Sequence, residues 1–244
     1  GVWSLSTQYQ YAADWPRLSI TGLFHLGFTN ADVNTIDQIN TVSEGNATDF
    51  GDRTVTKDRS GACASATRGV FAGGHTNTDV IDFVTIATAG NATDFGNLIA
   101  ASTSHAACGS TTRGLFGGGN TDSGVIDSIQ YITFASVGNT TDFGNLIATT
   151  SRHQSASSST RAEIDYVTIA STGNASDFGD LTSARYDISA CSNSIRGIFA
   201  GGDGALDVID FVTIASTGNG TDFGNLTAGS DLGSGCCGAH GGIA

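Results

Sequence analysis

The heptapeptide GNATDFG at residues 90–96 occurs in five closely related copies, and this repeat decides the fold of the chain. All copies follow the pattern Gly-Asn-x-Thr/Ser-Asp-Phe-Gly, and the other four lie at residues 45–51, 138–144, 173–179 and 218–224. Successive copies begin 45, 48, 35 and 45 residues apart. A period of this length predicts a stacked or circular array of similar small units. We therefore expect one array rather than several unrelated domains.

Strand patterns surround each heptapeptide. The segment VIDFVTIA at residues 80–87 precedes the second copy, and similar segments lie at 129–135, 164–170 and 208–215. Their β-branched and aromatic residues predict strands. The heptapeptide itself predicts a hairpin turn, because Gly and Asn adopt left-handed backbone angles and the Thr and Asp side chains accept local hydrogen bonds. Its Phe begins the strand that follows.

Two more strands complete each repeat. A small-residue segment lies thirteen residues after each Phe, at Cys63, Cys108, Ala156, Cys191 or Cys236. Five residues later comes an arginine, Arg68, Arg113, Arg161 or Arg196, and three of these precede an apolar strand that ends in Gly-Gly, at 69–74, 114–119 and 197–202. The pattern predicts four short strands in each repeat.

Four antiparallel strands per repeat are typical of a β-propeller blade, and the order of the elements resembles that of kelch repeats. In kelch repeats the aromatic that opens the fourth strand is usually Trp, whereas this chain has Phe50, Phe95, Phe143, Phe178 and Phe223. The resemblance covers residues 21–244 and leaves residues 1–20 as an N-terminal extension. It implies an all-β, kelch-like propeller of about five blades, each with four short antiparallel strands. Six blades are the alternative if residues 1–20 contribute strands.

The ends of the chain and the fourth repeat depart from the regular pattern. Residues 22–27 look like a degenerate second strand, and residues 234–238 are expected to supply the missing inner strand of the first blade, which would close the ring and remove sheet edges. Between Arg161 and Ile164 ten residues are absent relative to the other repeats. We expect a truncated blade there, or one filled by another segment such as residues 9–15.

Composition excludes some partners. The formal net charge is −13, and a single Lys and nine Arg stand against twenty-one Asp and two Glu. Such a surface repels nucleic acid and anionic membranes. No segment has the run of about 18 apolar residues that a membrane span requires. We therefore expect neither nucleic-acid binding nor a membrane span.

The residues that carry chemistry predict structural roles rather than a catalytic or metal site. Four of the five cysteines are periodic, which indicates small buried side chains of the innermost strand. The histidines are not spaced like metal ligands, and they are His25, His75, His105, His153 and His240. The sequence also contains no EF-hand loop. We therefore expect no metal or cofactor. The series Arg68, Arg113 and Arg196 is expected to pair with the carboxylates of Asp82, Asp127 and Asp210 in each blade.

The heptapeptide also satisfies the N-glycosylation pattern Asn-x-Ser/Thr. Candidate acceptors are Asn46, Asn91, Asn139, Asn174 and Asn219, with Asn225 as a sixth. In a eukaryotic secretory product these asparagines are acceptors for glycans. In a bacterial or phage product they stay unmodified and serve the geometry of the turn.

Function rests on the resemblance, since one fold serves many activities. The repeat style is similar to kelch-like repeats in virion structural proteins of tailed phages, which implies a tail-fibre or other host-attachment role at the virion surface or outside the cell. The implied partners are other virion or filament subunits and a cell-surface glycan, with loops at 75–78 and 120–124 as the contact face. The alternative is a secreted, N-glycosylated cell-surface or filament protein. An enzyme of the galactose-oxidase type would need a copper site from Tyr and His, which the sequence does not support, so no enzyme is expected.

Overall fold

A computed structural model describes residues 21–41, 43–151, 156–157, 161–163, 165–185, 188–193 and 195–230. All regular elements within these ranges are β-strands, which confirms the predicted all-β class. None of these residues belongs to a helix that is long and apolar enough to cross a membrane. The N-terminal extension and the closing segment 234–238 lie outside the described residues, as does the proposed filler at 9–15.

The first two repeats form a three-stranded and a four-stranded antiparallel sheet. Sheet 1 consists of β1 (Thr21–His25), β2 (Thr35–Asn40) and β3 (Thr48–Asp52). Sheet 2 consists of β4 (Gly61–Ala64), β5 (Arg68–Ala72), β6 (Thr78–Thr85) and β7 (Thr93–Ser102). In both sheets each strand pairs with the next one along the chain.

The other three repeats form four-stranded sheets with the same meander. Sheet 3 begins with β8 (Ala106–Gly109) and β9 (Arg113–Gly117), carries a small hairpin of β10 (Asn120–Thr121) and β11 (Gly124–Val125), and ends with β12 (Ser128–Thr133) and β13 (Thr141–Asn145). Sheet 4 consists of β14 (Ala156–Ser157), β15 (Arg161–Glu163), β16 (Asp165–Thr168) and β17 (Ser176–Asp177). Sheet 5 consists of β18 (Ser189–Ser192), β19 (Arg196–Ala200), β20 (Val208–Thr213) and β21 (Thr221–Asn225).

The four-stranded sheets follow one another in a propeller-like ring. Their first strands lie side by side, since β4 contacts β8, and β14 contacts both β8 and β18. The described residues form four blades of four strands, whereas the sequence predicts five. The count differs because the first repeat has no small-residue strand ahead of β1 among these residues, so sheet 1 has only three strands.

The fourth repeat is not truncated in the way the sequence predicts. Residues 156–177 alone supply all four strands of sheet 4. Without the Gly-Gly segment, β15 is only three residues long and continues into β16 after a single residue, and the two strands still pair in antiparallel register. The ten missing residues therefore shorten the strands of this blade instead of removing one.

The apolar core lies between consecutive sheets. One cluster joins Phe50 of sheet 1 to Phe71 and Val84 of sheet 2. The next three repeat this arrangement between sheets 2 and 3, 3 and 4, and 4 and 5, each with the heptapeptide Phe of the earlier sheet, Phe95, Phe143 or Phe178. Burying one large aromatic side chain contributes about 2–3 kcal/mol. One heptapeptide Phe therefore lies in the apolar cluster at each contact between consecutive sheets.

A β-bulge directs this Phe toward the next sheet. In sheet 2, Ile81 pairs with Gly96 while Asp82 pairs with Asp94, so Phe95 is the extra residue on its strand. Sheets 1, 3 and 5 carry the same irregularity at the corresponding position. A bulge bends and twists the strand locally, which explains why the pattern Asp-Phe-Gly recurs as a unit.

Candidate functional site

The heptapeptide turn docks onto the sheet before it, and we call this contact the junction. The backbone N–H of Gly90 donates to the carbonyl oxygen of Phe50 at 2.7 Å, and Ala92 N–H donates to Asp52 O at 2.7 Å. The side-chain oxygen of Asn91 accepts the backbone N–H of Asp52 at 3.2 Å. The same three bonds recur at three more junctions, with the turns that begin at Gly138, Gly173 and Gly218.

The junction explains why the turn contains Asn. Four of the sequon asparagines use Oδ1 to bind the neighbouring sheet: Asn91, Asn139, Asn174 and Asn219. All six candidate acceptors are exposed, including Asn46 and Asn225. The asparagine therefore has a structural role between sheets, while its position at the surface leaves both glycosylation alternatives open.

The position after the heptapeptide Phe must be occupied by glycine. A Cβ on Gly96 would lie 2.4 Å from the carbonyl oxygen of Gly138, and φ of Gly96 is +146°. The same contact occurs for Gly51, Gly144 and Gly179 with the following turn. Only glycine permits both this backbone conformation and the close approach.

The predicted Arg–Asp pairs have different partners. The guanidinium group of Arg68 stacks on Phe83 at 4.6 Å and donates to the carbonyl oxygen of Phe134 in the next sheet. Arg113 stacks on Tyr131 at 4.7 Å and donates to Ile169 O, and Arg196 stacks on Phe211 at 4.4 Å. The expected pairing of this series with Asp82, Asp127 and Asp210 is wrong, because the aromatic residue on the adjacent strand attracts the cation instead.

Two of these aspartates bind other arginines. Asp82 receives a hydrogen bond from Arg53, and Asp210 receives one from Arg185 at 2.9 Å. Each aspartate also accepts the hydroxyl of a threonine in the preceding sheet, Thr54 or Thr182. Burial lowers the pKa of Arg53, and the charge of Asp82 opposes that shift. Asp127 is not equivalent to them, since Gln130 occupies the corresponding position and binds Thr140.

Three of the periodic cysteines lie where the repeat predicts, on first strands, and Cys236 lies outside the described residues. Cys63, Cys108 and Cys191 belong to β4, β8 and β18. Cys63 and Cys108 pack against the apolar clusters. Burial raises the pKa of the Cys63 thiol well above its ordinary value, and the neighbouring Cys108 shifts it in the same direction. A thiol in this state is a poor nucleophile and a poor metal ligand.

Loops of sheets 1, 2 and 3 form a polar surface, which we call the loop face. It comprises Asp32, Lys57, Asp58, His75, Thr76, Asn77 and Asp122. The two loops expected from the sequence to share a contact face do touch, since the side-chain amide of Asn77 donates to Asp122 Oδ1 at 2.6 Å. Lys57 donates to the hydroxyl of Thr76.

Backbone strain is concentrated in the turn of this loop face. Thr76 has φ of +63° and Asn77 has φ of +47°. A left-handed conformation is uncommon for a β-branched residue such as Thr, and strained residues persist where the surroundings hold them. The turn therefore presents His75, Thr76 and Asn77 in one fixed arrangement.

One group of metal-ligating side chains lies within the loop face. Ligand atoms of Asp32, Asp58 and His75 all lie within 4.8 Å of one another. Asp58 Oδ1 lies 3.4 Å from His75 Nδ1, and Arg59 Nε lies 3.5 Å from the other carboxylate oxygen of Asp58. Two carboxylates and one imidazole could hold a divalent transition-metal ion. Sequence reasoning missed this group, because its members come from three separate loops with no recognisable spacing.

Comparison with known proteins adds no assignment. No protein-family model matches the chain, and no curated protein matches it either. The candidate site therefore rests on the geometry of the described residues.

Proposed function

We propose that the chain is a non-enzymatic attachment module of an exposed assembly, and that its loop face binds a polar ligand such as a cell-surface glycan. The observation that carries this proposal is the contact between Asn77 of one sheet and Asp122 of the next. It joins two loops of different sequence into one exposed polar surface. Glycans are bound through side-chain carboxylates, amides and hydroxyls of this kind, which donate and accept hydrogen bonds at fixed positions.

The contacts of the repeated residues support the proposal that the repeat holds the sheets together while the loops bind the ligand. The Asn, Phe, Gly and Arg residues of the repeat are engaged in contacts between sheets, as the junction and the arginine stacks illustrate. A residue that holds the array together is constrained by that role. The loops differ from one sheet to another, so they are the surface that can specify a ligand.

The kelch-like resemblance supplies the biological setting of the proposal. It favours a tail fibre or another virion structural protein, located at the virion surface or outside the cell, whose partners are other subunits of the assembly. An antibody raised against the chain should then label virions in electron micrographs of the native source. Labelling of free filaments or of cells would favour the secreted alternative instead.

Glycan binding is tested directly on the chain. The labelled protein is applied to a glycan array and to candidate host cells, and we expect binding that is lost in N77A and D122A. Asp203→Ala is the matched control, since Asp203 is an exposed residue in the corresponding turn of sheet 5, outside the loop face. The absence of binding, or an equal loss in D203A, would contradict the proposal.

The secreted, glycosylated alternative is favoured by one observation, the exposure of all six sequon asparagines. Intact-mass measurement of the protein from its native source tests it. Added mass in hexose and N-acetylhexosamine steps supports this alternative, and the bare polypeptide mass supports the virion proposal.

A further inference from the structure

The last described sheet, sheet 5, exposes a surface that sheets 1–4 bury. The heptapeptide Phe is 2–3% exposed in the first four repeats, whereas Phe223 is 53% exposed. A Cβ on Gly224 would have no described atom within 4 Å, although the four equivalent glycines are in close contact with the following turn. Arg196 is exposed and stacks on Phe211, but within the described ranges it makes no bond to a carbonyl group of a further sheet. We call this surface the Phe223 face.

The first sheet presents the complementary surface. All three residues of the turn at 45–47 are exposed, whereas the third residue of each docked turn is at least partly buried: Ala92, Thr140, Ala175 and Gly220. In the part of the chain that the structure describes, Asn46 makes none of the bonds that its four counterparts make to a preceding sheet. This turn has the same sequence pattern as the docked ones. We call it the Gly45 turn.

The side chains beside these two surfaces also include the threonine and the aspartate that form a hydrogen bond at internal junctions. At two internal junctions an aspartate of the later sheet accepts the hydroxyl of a threonine that lies four residues after the Phe of the earlier sheet, as in Thr54 with Asp82 and Thr182 with Asp210. Sheet 1 has Asp37 at the aspartate position, opposite Asp49. Thr227 lies four residues after Phe223. The pair that a further junction requires is therefore present, with Asp37 in the first described sheet and Thr227 just after the last one.

We propose that the Phe223 face binds the Gly45 turn of a second copy of this chain, so that copies associate head to tail. The intermolecular junction repeats the internal one. Gly45 N–H donates to Phe223 O, Asn225 N–H donates to Asn46 Oδ1, and Ala47 N–H donates to Asn225 O. Asp37 of one copy accepts the hydroxyl of Thr227 of the other, and Phe223 becomes buried between the two copies.

A second copy can supply the partner of the Phe223 face, because its Gly45 turn has the same sequence pattern as the turns that dock at the four internal junctions. All four internal junctions are built from the same hydrogen bonds, and the bond from Gly N–H to Phe O is 2.7 Å long each time. With this common geometry Phe223 is half exposed. Among the described residues the propeller-like ring is not closed between sheets 5 and 1, since Phe223 stays half exposed and Asn46 makes none of the bonds that its four counterparts make. An interface of two different surfaces is heterologous, and it forms a ring or an open filament according to the rotation it imposes.

The inference is independent of the proposed glycan binding, because it rests on the junction contacts alone. Sedimentation velocity and light scattering of the full chain test it, from about 1 µM to about 1 mM, a range that covers interfaces of weak to moderate affinity. We expect the mean mass to rise with concentration through dimers to larger species. A single monomer at every concentration would overturn the proposal and favour closure within the chain.

Two sets of variants separate this interface from other modes of association. The head variant N46A/D37A removes an acceptor at each of two contacts, and the tail variant F223D places a charge where an apolar side chain docks. Each should be monomeric at concentrations where the parent associates, with an apparent dissociation constant raised at least about tenfold. Val137→Ala is the control, since Val137 is an exposed apolar residue of an internal sheet, and it should associate like the parent.

Mixing the two variants gives the decisive result. The head variant keeps an intact Phe223 face and the tail variant keeps an intact Gly45 turn, so the mixture should form a 1:1 heterodimer that grows no further. Circular dichroism and melting curves of each variant alone verify that it is folded. A mixture that stays monomeric, or association that neither variant alters, would overturn the head-to-tail arrangement.

Discussion

Arg53 Nε lies 2.8 Å from Asp82 Oδ2, and both side chains are fully buried between sheets 1 and 2. Arg53 follows β3 directly, and Asp82 lies in the middle of β6. A second contact joins the guanidinium group to the hydroxyl of Ser60. The ion pair therefore ties three segments of the chain together in a region without water access.

Loss of the aspartate charge should be costly. In Asp82→Asn the buried guanidinium group of Arg53 loses its counter-charge, and we expect the free energy of unfolding to fall by about 3–5 kcal/mol. Asp94→Asn is the control, because Asp94 pairs with Asp82 across the two strands but is exposed. It should change stability by less than about 0.5 kcal/mol. Equilibrium unfolding in urea measures both, and equal effects would contradict a buried charge pair.

Two glycines of one junction should respond in opposite ways to the same substitution. A Cβ on Gly144 would lie 2.4 Å from the carbonyl oxygen of Gly173, and φ of Gly144 is +148°. Gly144→Ala must therefore strain the backbone and open the junction, with an expected loss of about 3 kcal/mol or more. Gly173 has free space around its Cβ position and a φ outside the left-handed range. Gly173→Ala should be neutral or slightly stabilising, since it restricts the unfolded chain.

Urea unfolding of both alanine variants, under identical conditions, measures this difference. The Gly144→Ala variant should also lose cooperativity if the sheets on either side separate before they unfold. Similar stability of the two variants would show that the turn does not dock closely on the preceding strand.

Protonation of His25 should make the free energy of unfolding depend on pH. Its Nε2 lies 3.2 Å from the carbonyl oxygen of Val33, and its ring contacts Phe71 edge to face at 5.9 Å. Burial lowers the pKa of His25, the charge of Arg53 lowers it further, and the bond to Val33 opposes both. The folded pKa therefore lies below the unfolded value of about 6.5. The unfolded chain binds the proton first, so this contribution to stability is complete above pH of about 6.5 and is lost as the pH falls toward the folded pKa.

An NMR titration of the His25 ring should give a pKa below 6.5. Urea unfolding at a series of pH values should show that His25→Gln reduces the loss of stability between about pH 7 and pH 5, relative to the parent chain. An unchanged pH profile in this variant would mean that His25 is as accessible to protons in the folded state as in the unfolded one.

The local elements of the fold could be predicted from the sequence, because each repeat encodes them within a few residues. The turn follows from Gly and Asn, and the strand around Phe83 follows from β-branched and aromatic residues with polar residues between them. The Phe side chain as an anchor between sheets also follows from its regular position, and four of the five copies are buried as expected.

Contacts between sheets could not be predicted in the same way, because they join residues that are far apart in sequence. Arg53 precedes Asp82 by 29 positions and belongs to another sheet, whereas the regular spacing of Arg68 suggested a pair within one blade. The polar group of Asp32, Asp58 and His75 likewise exists only after three loops meet. The fourth sheet kept four strands because a chain reversal after three residues needs no Gly-Gly segment, which periodicity alone cannot reveal.

The thiol of Cys63 should react much more slowly in the folded protein than in the unfolded chain. It packs against the apolar cluster between sheets 2 and 3, and its sulfur would lie 2.6 Å from a Cβ on Gly114. Burial raises the pKa of this thiol, so the reactive thiolate is scarce at neutral pH.

Alkylation by iodoacetamide at pH 8, followed by peptide mass spectrometry, should modify Cys63 at least about tenfold more slowly in the native protein than in urea. The Gly114→Ala variant should accelerate the native reaction, because its methyl group displaces the sulfur from the cluster. Equal native and denatured rates in the parent chain would mean that the first strands of sheets 2 and 3 do not pack against each other.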